Sequence, residues 1–109
     1  MLELAKPALD VGLFTNRRDA MLAFWQQEVG LTFAELLPLG GGLQQHRHAI
    51  GDSVLKLNHA REALSESPAG GIRELEIARK DITAPRDLTD PDGNWIEISQ
   101  RKSLTGSLA

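Results

Sequence analysis

Asp90-Pro91-Asp92-Gly93-Asn94-Trp95-Ile96-Glu97-Ile98 reads as a tight turn that runs straight into a short strand. Pro91 presets its own φ, and Gly93 with its neighbours Asp92 and Asn94 supplies residues that tolerate positive φ. From Trp95 to Ile98 the sequence alternates. Ile96 and Ile98 fall on one face, and Trp95 and Glu97 on the other. On spacing alone this is a hairpin strand. A carboxylate fixed just after a rigid turn, Glu97, is also well placed to serve a site.

The totals bound what surrounds that stretch. One hundred and nine residues make one domain, or two small halves sharing a core. The apolar fraction of 41% is that of a soluble globular chain. A net charge of −3 gives no electrostatic case for nucleic acid. With no cysteine, disulfides, thiolate nucleophiles and thiolate metal sites are excluded. No apolar run approaches the roughly 18 residues of a membrane span, and no signal peptide is visible. The expectation is therefore no membrane partner and a cytoplasmic location.

Working back to the start, Leu9 to Thr15 reads as a first strand, with Val11 and Leu13 alternating with Asp10, Gly12 and Phe14. Asn16 is read as the N-cap of a helix over Arg17 to Val29, with Asp19 favourable to its dipole. Met21, Phe24, Trp25 and Val29 recur at helical spacing as the buried stripe, and Gly30 stands at C′. Leu31 to Leu39 is a second strand, closed by Gly40-Gly41-Gly42. That run lacks the following helix and lysine of a phosphate loop, so it reads as a hairpin connection.

Leu43 to Ile50 and Val54 to His59 form a hairpin about Gly51-Asp52-Ser53. A two-residue turn would set Arg47 opposite Lys56, a like-charge pair. A three-residue loop sets His48 opposite Lys56 and His46 opposite Asn58, and this is the expected register. Leu55 and Leu57 then face the helix, and His46, His48, Lys56 and Asn58 face away from it. Residues 61–71 read as a linker, and Ile72 to Arg79 as another strand. Lys80 to Thr89 is short and polar, interrupted by Pro85, and the tail from Lys102 is expected to fray. Arg61, Arg73 and Arg79 read equally as solvated side chains or as ligand contacts.

Leu13, Leu55, Leu57, Leu75, Ile77, Ile96 and Ile98 make the apolar faces. Asp10, Lys56, Glu74 and Glu97 lie opposite them at equivalent positions of four strands. On these residues the chain resembles the vicinal oxygen chelate superfamily, which includes glyoxalase I, bleomycin-resistance proteins and extradiol dioxygenases. The resemblance rests on Asp10-Val11-Gly12-Leu13, Phe24-Trp25, Leu55-Lys56-Leu57 and, most specifically, Asp90 to Ile98. It covers roughly residues 8–100.

The resemblance implies an α+β fold with a curled, glyoxalase-like mixed sheet. One βαβββ module would occupy about 8–60, and a second, reduced to its first and last strands, about 72–100. The short second sheet would leave an apolar face bare, to be covered by a homodimer partner or a second domain. Family metal positions fall on Asp10, Lys56, Glu74 and Glu97. Lys56 stands where Glu is usual, and a protonated lysine cannot ligate. Asp10, Glu74 and Glu97 could still hold a hard divalent ion.

The expected function is a small-molecule-binding domain without a metal cofactor, with His46, His48, Lys56 and Asn58 contacting the ligand. One alternative is a divalent-metal-dependent lyase, isomerase or dioxygenase acting on vicinal oxygens, with His46 or His48 as acid or base. The other is a non-catalytic interaction module.

Overall fold

Gly51 and Asp52 connect two strands by a two-residue turn, so that Ile50 pairs with Ser53. Gly51 has φ +55°, the conformation that the first central position of a type II′ turn requires. This turn fixes the register of the whole hairpin. Arg47 lies opposite Lys56, His48 opposite Leu55, and His46 opposite Leu57. The three-residue register is thus corrected. It would have set Arg47 beside Leu57 on the helix side, and a guanidinium costs far more to bury than a neutral imidazole.

The computed structural model describes residues 2–66, 71–72 and 74–99. The chain divides into two units, Met1–Glu66 and Ser67–Ala109. Part of the expected linker (67–70), Arg73 and the tail from Lys102 lie outside the described residues. Among the described residues no helix is long and apolar enough to cross a membrane.

The first unit comprises β1 (Asp10–Phe14), α1 (Arg18–Ala23), β2 (Thr32–Gly40), β3 (Leu43–Ile50) and β4 (Ser53–Ala60). Its sheet has the order β1-β4-β3-β2. β1 runs parallel to β4, and the other neighbours are antiparallel. This is the βαβββ module expected from the sequence. α1 passes into a π-helical turn over Phe24–Glu28, and Gly30 follows at φ +88°. Met21, Phe24, Trp25 and Val29 are all buried, as are Leu55 and Leu57 on the strand that α1 contacts.

Asn16 does not cap the helix, which has Arg17 before its first turn and no side-chain cap. Its amide instead brackets the backbone of Leu64, donating to the carbonyl at 2.8 Å and accepting from the N–H at 2.7 Å. Two backbone bonds forty-eight residues away outcompete one local cap.

The second unit holds β5 (Leu75–Ala78), β6 (Arg86–Thr89) and β7 (Trp95–Ser99) in the order β5-β7-β6. β5 is parallel to β7, repeating the β1–β4 relation, and β6 is antiparallel. β6 is an addition to the two strands read from the sequence. It begins just after Pro85 and has Leu88 as its single apolar residue, so no alternation announces it. Ile96 and Ile98 on β7 are buried, at 0% and 1% exposure.

Asp90 builds the turn between β6 and β7. One carboxylate oxygen accepts from the backbone N–H of Asp92 (3.0 Å) and of Asn94 (2.9 Å). The other accepts from the Asn94 side-chain amide at 2.8 Å, and the side-chain amide oxygen of Asn94 accepts from the N–H of Ile72 at 2.9 Å. Gly93 supplies φ +87°. Asp90 is only 3% exposed, so its loss strands these donors. Asp90→Ala is expected to destabilise the fold by about 2–3 kcal/mol, against less than about 1 kcal/mol for the exposed Pro91→Ala, by urea denaturation. Equal effects would remove the carboxylate as the organiser of the turn.

Candidate functional site

Alternation along β4 sorts the side chains of the first unit. Leu55, Leu57 and His59 point to one side of the sheet, and Lys56 and Asn58 to the other. Cross-strand pairing puts His46 and His48 with the leucines, and Gln45 and Arg47 with Lys56 and Asn58. The four expected ligand contacts are therefore split. Lys56 and Asn58 share a side, while His46 and His48 lie on the side that α1 covers.

On the side of Lys56, charged and amide groups are linked across all four strands. Lys56 Nζ lies 3.2 Å from Asp10 Oδ2, and Lys6 Nζ lies 2.9 Å from Oδ1. Lys6 first and Lys56 second, both by hydrogen bonding, hold the Asp10 carboxyl below the usual carboxylate range. Asn58 donates to the Leu13 carbonyl at 3.3 Å and accepts from Gln45 at 2.9 Å. Arg47 donates to Gln45 at 2.9 Å and reaches Glu35 at 3.6 Å. Gly12, opposite Lys56, leaves this side open. The Arg47–Lys56 apposition is tolerated because each cation has a carboxylate beside it.

On the helix side, His48 is 0% exposed. Its Nε2 lies 3.0 Å from the Gln26 amide nitrogen and its Nδ1 lies 3.3 Å from the Leu55 carbonyl. The carbonyl can only accept, so Nδ1 carries the proton and Nε2 accepts from Gln26. His46 and His59 stack at 5.0 Å, with their Nε2 atoms 2.9 Å apart. Phe33 packs against His46 and His48. His59 and Gln26, the partners that make these imidazoles a structural cluster, were not singled out in the sequence. The only signal for His59 was its alternation with Leu57.

The metal positions can be tested against these contacts. Asp10 is claimed by two ammonium groups, and the neighbouring family position is itself an ammonium. In the second unit, Glu74 is exposed ahead of β5. Glu97 sits between Glu76 on β5 and Asp87 on β6. Among the described residues, no group of three or more His, Asp or Glu side chains is arranged to hold an ion. Asp10 and Lys56, paired in this way, do not fit a divalent cation.

No protein-family model and no curated protein matches the sequence. Solved structures do match. Glyoxalase I of Leishmania major superposes with a TM-score of 0.75 at 14% identity, over 95% of this chain and 93% of that one. The fosfomycin resistance protein FosX of Mesorhizobium loti gives 0.61 at 13% identity, over 99% and 98%. TnmS3, an antibiotic binding protein from a Streptomyces species, gives 0.60 at 16% identity, over 89% and 98%. The chain has a glyoxalase-like fold.

The imidazole cluster has a pH consequence. Burial, the first cause in each case, pushes His46, His48 and His59 below the ordinary imidazole value, and charge on His59 pushes His46 further. A base with a depressed folded pKa contributes stability above its unfolded value of about 6.5, lost as pH falls through the folded value. The urea midpoint is expected to drop between about pH 7 and pH 5, and to drop less in a His46→Gln/His59→Gln variant. A midpoint that is flat or rises toward acid would contradict the neutral cluster.

Proposed function

We propose that this chain is a small-molecule-binding domain that uses the vicinal oxygen chelate fold without its metal. The observation that carries the reading is the Lys56–Asp10 ion pair, which occupies two of the family's ligand positions. A lysine ammonium has three donors and no lone pair, so it repels a divalent ion and attracts an anionic or polar ligand. Lys56 and Asn58 are the ligand contacts in this account, extended by Gln45 and Arg47 on the same side of the sheet. His46 and His48 are assigned to the packing beneath α1. The similarity to an antibiotic binding protein supports small-molecule binding as one use of this fold.

The metal-dependent lyase, isomerase or dioxygenase is the less favoured reading, because it needs Asp10 free of its two lysines. Self-association is supported by β2, which forms one edge of its sheet and exposes Phe33, Leu36 and Leu39. Protein purified without chelator and equilibrated with zinc, nickel, manganese and magnesium salts should carry each ion substoichiometrically after gel filtration. One equivalent of any of them, lost on Asp10→Asn, would overturn the metal-free assignment.

A further inference from the structure

A cavity of about 900 Å³ lies within the first unit, between the start of α1, the β2–β3 turn and the end of β4. None of the proposed ligand contacts Lys56, Asn58, Gln45 and Arg47 lines it. Its volume falls in the range of small-molecule sites.

Its charge does not follow that of the chain. The sequence carries a net −3, yet Arg17, Arg18 and Arg61 line this cavity against a single carboxylate, Asp19. Two of the three cations are already partnered, Arg18 with Asp19 at 2.9 Å and Arg17 with Glu66 at 3.1 Å. The Arg61 guanidinium has no carboxylate within ion-pair distance among the described residues. Its backbone is nonetheless fixed, since its N–H donates to the Gly42 carbonyl at 3.1 Å. A Cβ at Gly42 would stand 3.2 Å from the Arg61 Cβ, and Gly42 has φ +82°. The glycine therefore lets the β2–β3 turn close against the root of Arg61. An anchored stem with an unclaimed planar donor fork is suited to an oxyanion. The rest of the wall sets Pro38, Leu43 and Ala60 beside the polar Thr15, Asn16, Gln44 and His59.

We infer that this cavity binds a small organic anion, with its oxyanion on Arg61 and its apolar body along Pro38, Leu43 and Ala60. The site is independent of the proposed ligand face. It uses none of the same residues.

Phenyl phosphate, which carries both parts, is the probe, with inorganic phosphate and phenol as its halves. Titration followed by amide NMR should shift Gly40, Gly42 and Arg61 saturably with phenyl phosphate, and each half should bind at least about tenfold more weakly. Arg61→Met should weaken phenyl phosphate by about tenfold or more, and Arg61→Lys by less, because charge survives while the fork is lost. Lys56→Met should leave the affinity unchanged. The inference is overturned by the absence of saturable shifts or by shifts centred on Lys56 and Asn58. Affinity indifferent to both Arg61 variants also overturns it. If Arg61→Met loses its dispersed spectrum, the comparison of Arg61→Lys with the parent decides.

Discussion

The two-residue turn at Gly51 and Asp52 is the constraint on which the first unit depends. It fixes β3 against β4, and a one-residue slip there would carry every β3 side chain to the opposite side of the sheet. In the register it sets, three imidazoles join Leu55 and Leu57 on the side that α1 contacts, and two cations join Asn58 on the other. The competing register relieves one like-charge apposition, worth about 0.2–1 kcal/mol in a cross-strand pair. It would do so by sending Arg47 to the packed side, where desolvation costs several kcal/mol by order of magnitude. The larger effect decides, and Glu35 and Asp10 then neutralise the smaller one laterally.

That arrangement gives the open side its chemical character. Lys56 stands where the resemblance implies a metal-binding Glu, and it pairs with Asp10. Gln45 and Asn58 complete a row of donors and acceptors that do not depend on an ion. The same backbone frame can thus present a metal cage or a polar binding surface, depending on the residues at a few strand positions. The second sheet repeats the parallel pairing of the first, yet gathers Glu76, Glu97 and Asp87 on neighbouring strands where the first unit has its cations.

Much of the fold was legible in the sequence because its periodicities are strong. Met21, Phe24, Trp25 and Val29 mark the helix, and the alternation of β1, β4 and β7 marks their buried faces. The Asp90–Asn94 turn was legible in type, but not the Asp90 carboxylate that organises it. Less legible was whatever depends on a partner distant in sequence. Asn16 looks like a helix cap until Leu64 arrives, and β6 has too little apolar content to be seen without β7 beside it. The site was half legible. Lys56 and Asn58 share a side as read, but His46 and His48 do not join them, because Glu35 and Asp10 offset the Arg47–Lys56 repulsion, and spacing along the chain does not show those lateral partners.

The central claim is that Lys56 and Asp10 satisfy each other where the fold could otherwise hold a metal. A carbon-detected NMR titration of the Asp10 carboxyl group tests it most directly. The account predicts titration below the ordinary aspartate range, a rise toward it in Lys56→Met, and no perturbation of the resonance by added zinc. An ordinary titration indifferent to Lys56, together with a stoichiometric zinc-induced shift of the Asp10 carboxyl, would contradict it.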